Sequence, residues 1–314
     1  MKFILLFTTF LALLLSTAIS IAEDAEQKAV LVTGASSGIG LRITEVLSAN
    51  GYVVYAGARK DADLKRLEAM DNVESVRLDV TIQDEIDAAV KVITDKGRGL
   101  YGLVNNAGIA IIGPVIEVPV DEVKWQFDVN VYGPYRVTQA FSPLLIESKG
   151  RITTTGSISG ILSGPMFGPY SMSKHAIESY TDTLAVEMKR FDVKVSVIEP
   201  GSFESKIGKS IKKRLENNKY WTENTQYKDE LEAMSARVGG DRVGKDPKEV
   251  ADAVLHFMSS DSPKHRYMVT PNAGQASFTI QQAMREMLQL NHDQAYTLSR
   301  EQLVEMLDQG LTEL

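Results

Sequence analysis

The chain has 314 residues, of which 44% are hydrophobic and 24% charged, enough apolar material for a sizeable core, so an intrinsically disordered protein is excluded. Cysteine is absent, which rules out a disulfide scaffold and a thiolate metal centre, and the four histidines, His175, His256, His265 and His292, are too scattered for a local metal site. With 34 Lys and Arg against 41 Asp and Glu, the net charge of −7 and the lack of a long basic block argue against nucleic acid and for small-molecule chemistry.

Residues 1–22 are compositionally foreign to the rest. Lys2 precedes the apolar runs Phe3 to Phe7 and Phe10 to Leu15, and Ser20-Ile21-Ala22 leads into the acidic Glu23-Asp24-Ala25-Glu26. This pattern reads as a secretory signal peptide with cleavage after Ala22. The alternative is an uncleaved anchor, because Phe3 to Ala22 spans 20 residues, although Thr8, Thr9, Ser16, Thr17 and Ser20 weaken it. Both readings keep Lys2 inside and carry the acidic flank across, which places the domain in a periplasm or lumen, with membrane association through the N-terminus in the anchored case.

From residue 28 onward short β-branched runs recur at Ala29 to Thr33, Tyr52 to Gly57, Ser75 to Val80, Leu100 to Asn105, Arg151 to Thr155, Val193 to Ile198 and Arg266 to Thr270. Segments of helical spacing separate them, such as Ile39, Ile43, Val46 and Leu47, or Ile86, Ala89, Val90 and Ile93. Repeated βαβ units with right-handed crossovers predict a single α/β, doubly wound Rossmann domain over residues 28–274. Its sheet is expected to be seven-stranded and mostly parallel, with helices on both faces, and ligands bind beyond the carboxyl ends of such strands. Residues 275–314 form a C-terminal helical extension in pattern, with Ile280, Ala283, Met284, Met287 and Leu288 followed by Leu298, Leu303, Met306 and Leu307.

The first strand runs into Thr33-Gly34-Ala35-Ser36-Ser37-Gly38-Ile39-Gly40 and then a helix. Glycines here permit a tight turn and close approach of backbone to a phosphate, and the helix start supplies free N–H groups. Gly34, Ser36, Ser37, Gly38, Ile39 and Gly40 are therefore the expected pyrophosphate site of a dinucleotide. The end of the second strand, Ala56-Gly57-Ala58-Arg59-Lys60, lacks the carboxylate that would take a ribose 2′-OH and offers cations instead. Arg59 thus points to NADP(H) as the preferred cofactor, with NAD(H) the alternative because Asp61 is near. Asp79, closing the third strand, either accepts from an adenine amino group or caps the next helix.

Tyr170-Ser171-Met172-Ser173-Lys174 sets an ammonium one helical turn beyond a phenol, and a neighbouring cation favours the phenolate. Ser157 ends the fifth strand 13 residues earlier, at the carboxyl edge where this architecture binds ligands. With Asn105-Asn106-Ala107-Gly108, Asn130 and Pro200-Gly201 in the same order, the sequence resembles the short-chain dehydrogenase/reductase family over about residues 28–270, in the style of its retinol and steroid dehydrogenases. The resemblance implies that Tyr170 is the general acid/base and that Ser157 hydrogen-bonds the substrate oxygen. It implies further that Lys174 binds the nicotinamide ribose and lowers the Tyr170 pKa, and that Asn130 supports a proton-relay water. Asn106, Ala107 and Gly108 would brace the sheet beside the cofactor, and Pro200 and Gly201 would lie against the nicotinamide. Thr153-Thr154-Thr155-Gly156 departs from the family's Asn-containing run before the serine, and Ser205 stands where a threonine is common; neither removes a catalytic group.

Residues 202–245 form the longest irregular stretch and read as a lid. Phe203, Ile207, Ile211, Leu215, Tyr220, Trp221, Tyr227, Leu231 and Met234 give it an apolar lining, which favours a hydrophobic alcohol or ketone as substrate. Lys206, Lys209, Lys212, Lys213 and Arg214, on a short helical pattern, read as a solvated face, with anionic lipid headgroups the alternative. The whole is expected to be an NAD(P)-dependent oxidoreductase acting on CH–OH groups; a dinucleotide-binding scaffold without turnover is the competing reading. The resemblance also implies a homodimer or homotetramer built on the helix from Tyr170 to Arg190.

Overall fold

In the computed structural model, residues 27–217, 225–239 and 244–313 are described, and the chain divides between Pro271 and Asn272 into two compact units. The expected signal or anchor at residues 1–22 and the aromatic pair Tyr220 and Trp221 lie outside the described residues.

Seven strands make one sheet: β1 (Ala29–Val32), β2 (Val53–Ala58), β3 (Val73–Arg77), β4 (Gly102–Asn105), β5 (Arg151–Thr155), β6 (Lys194–Pro200) and β7 (Arg266–Val269). Their order is β3-β2-β1-β4-β5-β6-β7, and every pairing is parallel. The connections carry α1 (Gly38–Ala49), α2 (Asp61–Glu68), α3 (Gln83–Asp95), α4 (Val120–Phe127), α5 (Gly133–Glu147), α6 (Gly168–Met188), α7 (Lys206–Asn217), α8 (Lys228–Gly239) and α9 (Lys248–Ser259). Side chains alternate across each strand, so the sheet builds two cores. Ala29, Leu31, Val53 and Tyr55 meet α3 and α5 through Ile86, Ile93, Val137 and Phe141 on one face. Val30, Val32, Val54 and Ala56 meet α1 and α9 through Ile43, Leu47, Val254 and Phe257 on the other. Burial on both faces explains why the strands read as continuous apolar runs rather than alternating ones.

Two boundaries differ from the sequence reading. β3 occupies Val73–Arg77 rather than Ser75 to Val80, because its partner β2 offers a ladder only from Val54 to Ala58, which pair with Val73 and Arg77 at the two ends. Asp79 therefore lies past the strand. The stretch read as irregular at 202–245 contains two helices, α7 and α8, because Ile207, Ile211, Leu231 and Met234 recur at helical spacing, and three of them meet an apolar partner surface. Phe203 is not part of that surface; its bridge to Lys245 turns it into the core beside α9.

The second unit, by itself, is α10 (Ala273–Asn291) and α11 (Arg300–Thr312). Asn291 closes the link between them, donating to the Leu298 carbonyl at 3.0 Å and accepting from the Leu298 N–H at 2.8 Å. Ser299 and Gln302 form a reciprocal cap that starts α11. Among the described residues no helix is long and apolar enough to cross a membrane.

Candidate active site

β1 and β4 lie side by side, and the chain order reverses between them, so a crevice opens beyond their carboxyl ends. Thr33, just after β1, has a buried hydroxyl that accepts from the backbone N–H groups of Asn106 and Ala107, both at 3.0 Å. The Asn106 side chain returns the contact, donating to the Thr33 carbonyl at 3.1 Å and to the Gly34 carbonyl at 3.4 Å. This brace holds the glycine turn open. Gly34 and Gly38 adopt φ of 66° and 56°, the left-handed region that favours glycine. Gly40 has no positive φ but no room either: a Cβ there would collide with the Asn106 amide nitrogen and the Gly34 carbonyl oxygen. Ser37 precedes α1 without capping it by its side chain, so the first amides of the helix are left for an anion. The turn from Gly34 to Gly40 thus has the close backbone and the helix start that the expected pyrophosphate site requires.

Arg59, just past the end of β2, forms an ion pair with Asp79 at 3.2 Å while its own side chain stays 64% exposed. Asp79 also accepts from the backbone N–H and the hydroxyl of Thr81, at 3.0 and 2.7 Å, which makes it a turn cap rather than a strand end. Burial pushes its carboxyl up, but these bonds and the Arg59 charge outweigh burial and leave it below the usual carboxylate value. Arg66, on α2, reaches back 2.6 Å to the Ser36 carbonyl, and Arg77 pairs with Asp61 and donates to the Arg59 carbonyl. Asp61 is therefore turned to Arg77.

Across the crevice, Ser157 leaves β5 in an extended conformation and caps a short 3-10 turn, its Oγ accepting from the Ser159 N–H at 3.1 Å. Gly168 and Pro169 start α6, and Pro is suited to the first helical turn, so Tyr170 projects from the helix start beside Ser157. The buried Lys174 lies one turn on and donates to the Thr155 carbonyl at 2.7 Å. Asn130 sits in a π turn, Asp128–Tyr132, between α4 and α5, a local widening that often marks a functional position. Its side chain bonds both backbone groups of Ile109 at 2.9 Å and donates to the Ser173 hydroxyl at 3.1 Å. Gly201 donates to the Val269 carbonyl at 2.7 Å, and the Pro200 carbonyl lies 3.5 Å from Ser157 Oγ.

The model of the short chain dehydrogenase family matches residues 28–216. An uncharacterised oxidoreductase of Escherichia coli is 36% identical over 246 residues, covering 78% of this chain and 86% of that one. An NADPH-dependent 3-dehydrocapnine reductase of Ornithobacterium rhinotracheale is 35% identical, covering 77% and 87%. A crystal structure of a short-chain dehydrogenase from Streptomyces avermitilis superposes with a TM-score of 0.71 at 29% identity, covering 84% of this chain and 96% of that one. The chain belongs to the short-chain dehydrogenase/reductase family. This family's oxidoreductase chemistry on CH–OH groups with a nicotinamide cofactor is accordingly that of the protein.

As in any such dehydrogenase, the reacting groups must be charged appropriately. Burial pushes the Tyr170 phenol above its ordinary value, and the Ser157 hydroxyl, within hydrogen-bonding reach, pulls it back in part. The expected lowering by Lys174 is not what this geometry shows, because Nζ turns to the Thr155 carbonyl and stands 5.7 Å from the centre of the Tyr170 ring. Burial in turn brings Lys174 down to about 8, opposed by the charge of Glu178.

Ala110, Ile112, Phe167, Ile207, Ile211 and Met234 surround Tyr170 with apolar surface. The helices over it are latched: Arg214 pairs with Glu122 and lies 4.0 Å above the Trp125 ring, and Glu117 accepts from Thr225 and from the Gln226 N–H. Arg214 is thus not part of a solvated face, since two groups of α4 hold it. The sequence reading passed over the bracing role of Thr33, and it missed Ser173, Arg66 and Gln126. Gln126 is buried and accepts from the Ile111 N–H. None of these positions carries a local signal; each works through a contact tens of residues away, except Gln126, whose partner lies in the irregular segment after β4.

Proposed function

We propose that the protein reduces a hydrophobic ketone, or oxidises the matching alcohol, with NADP(H), using Tyr170 as the general acid/base. The observation that carries this reading is the convergence of Ser157, Tyr170 and the buried Lys174 at the edge of an apolar cluster beyond the carboxyl ends of the strands. Asn106, Ala107 and Gly108 support the turn from β4, and Pro200 and Gly201 wall the crevice on the side of β6. A bound nicotinamide supplies the hydride to the carbonyl carbon. Tyr170 donates its proton to the carbonyl oxygen, and Ser157 donates a hydrogen bond to that same oxygen as its negative charge grows. The start of α6 adds a favourable dipole for the resulting phenolate. Lys174 would hold a ribose hydroxyl of the cofactor, and Asn130, which bonds Ile109 and Ser173, would support a water that returns the proton.

NADPH is favoured by the arginines Arg59, Arg66 and Arg77 gathered at the end of β2 and on α2 and β3, and the reductase of Ornithobacterium rhinotracheale is named for that cofactor. An apolar substrate is favoured by the apolar side chains that pack with Tyr170, among them Phe167, Ile207, Ile211 and Met234. The test is stopped-flow oxidation of NADPH by the wild-type chain with aryl and alkyl ketones, beside Tyr170→Phe. A chain that binds NADPH but oxidises none with any ketone refutes the reading.

A further inference from the structure

Beside the catalytic trio, one turn further along α6, lies a second set of ionisable groups that the mechanism above does not use. Glu199 is the residue before Pro200 on β6, and its side chain is only 3% exposed. Glu178 is on α6, one turn beyond Lys174, with a side chain 12% exposed. The two carboxyls are within hydrogen-bonding reach of each other. Arg266, on β7, contacts both, pairing with Glu178 and reaching Glu199 at 3.3 Å, and its other nitrogen bonds Asp182 at 2.5 Å. His265 completes the set, 2.8 Å from Asp182. The titratable and charged groups around the pair are thus Lys174 and Asp182 from α6 and His265 and Arg266 from the β7 side.

Two details show that this is more than an ion pair. Glu178 Oε1 is buried and has no hydrogen-bond donor among the described residues. It is wedged against the Ser157 loop, where a Cβ on Gly156 would stand 2.9 Å from it and one on Gly160 2.7 Å, so those glycines make room for a carboxyl. A carboxylate only accepts hydrogen bonds, so two buried carboxylates in contact leave each other unsatisfied; one proton between them turns one into a donor.

We propose that Glu178 and Glu199 share one proton and, clamped by Arg266, act as positioning residues that keep Lys174 charged and hold the Ser157 loop. The positioning role rests on the reading of Ser157, Tyr170 and Lys174 given above. Burial first, and then the Glu178 charge, push Glu199 up to about 7 against the pull of Arg266, in keeping with a retained proton. The pair's remaining negative charge opposes the loss of the Lys174 proton, which burial alone promotes.

Two measurements on the full chain test this. The first is thermal unfolding against pH for the wild type and Glu199→Gln. A carboxyl whose folded value is raised from 4.5 to about 7 contributes stability that is fully present below 4.5 and lost as pH rises through 7. Gln cannot ionise, so the melting temperature of Glu199→Gln should gain on that of the wild type across this window; a constant difference overturns the shared proton. The second is NADPH titration by fluorescence between about pH 6.5 and 9.5, where loss of the Lys174 proton weakens binding. In Glu178→Gln the midpoint of that loss should fall by about one pH unit or more, and Glu178→Asp should recover part of it. An unchanged midpoint in a folded Glu178→Gln overturns the positioning role. A wild type that fails to bind NADPH sinks the cofactor reading and the positioning role with it, whereas the melting comparison still decides the pair.

Discussion

Tyr170 packs among apolar side chains and is held above its ordinary pKa by burial, so in the reaction proposed above it would serve as a proton donor rather than as a phenolate. Replacing it with Phe removes the donated proton and almost no volume. Turnover should fall by at least about 10²-fold, the range for loss of a positioned acid, while NADPH affinity stays within about twofold. Stopped-flow and fluorescence titration separate the two, and turnover within about threefold of the parent refutes the assignment. Arg59 offers a different test because it is already engaged by Asp79. A 2′-phosphate must draw its guanidinium from a carboxylate held below its normal value, so the gain is smaller than for a free arginine. Arg59→Ala is expected to weaken NADPH about tenfold and NADH less than about twofold, measured by paired titrations; equal losses would assign Arg59 to some other part of the cofactor.

The elements show why some of this was legible in the sequence and some was not. Strand β1 and the turn after it were readable because glycine spacing, β-branched runs and helix starts are local signals. Tyr170 and Lys174 were readable for the same reason, their shared face following from helical geometry. The start of β3 was not, because the extent of a strand depends on what its neighbour β2 offers. The orientation of Lys174 depends on Thr155, and the partner of Arg214 depends on α4, both set by packing alone. Of the two helices in the stretch 202–245, the first was signalled by the helical spacing of its lysines, whereas the second was hidden because its apolar residues are sparse among polar ones. That latch yields a prediction. Losing the Glu122 pair and the contact with Trp125 in Arg214→Ala removes about 1 to 2 kcal/mol from the packing of α7 on α4. Steady-state kinetics with the best ketone should show KM raised about five- to tenfold and kcat within about twofold. A fall in kcat at constant KM would mean that the latch serves chemistry rather than binding.

At the scale of the whole molecule, the part of α6 that does not serve the site is left facing outward. Ile177 is buried and Leu184 packs on the core, so the question left by the sequence, which apolar positions of this helix need a partner, has a partial answer. The exposed ones are Met172 at 52% and Val186 at 77%. Tyr135 on α5 is 58% exposed, its ring 6.2 Å from that of Tyr180 on α6, and Tyr132 in the π turn is 54% exposed. Isolated exposed apolar residues need no explanation, and these are the open apolar positions through which a second copy is expected to pack. A two-fold pair is the simplest closed assembly for such a self-complementary surface. The full chain is therefore expected to scatter light with about twice the mass of one chain at micromolar concentration. Val186→Glu places a charge where the side chain is open to water in one chain, so the fold should tolerate it while a buried interface should not. The variant is expected to melt within about two degrees of the parent when both are compared as monomers at high dilution, and to run at the mass of one chain. A parent of one-chain mass, or a Val186→Glu that still pairs, places the interface elsewhere and leaves the outer face of α6 to solvent.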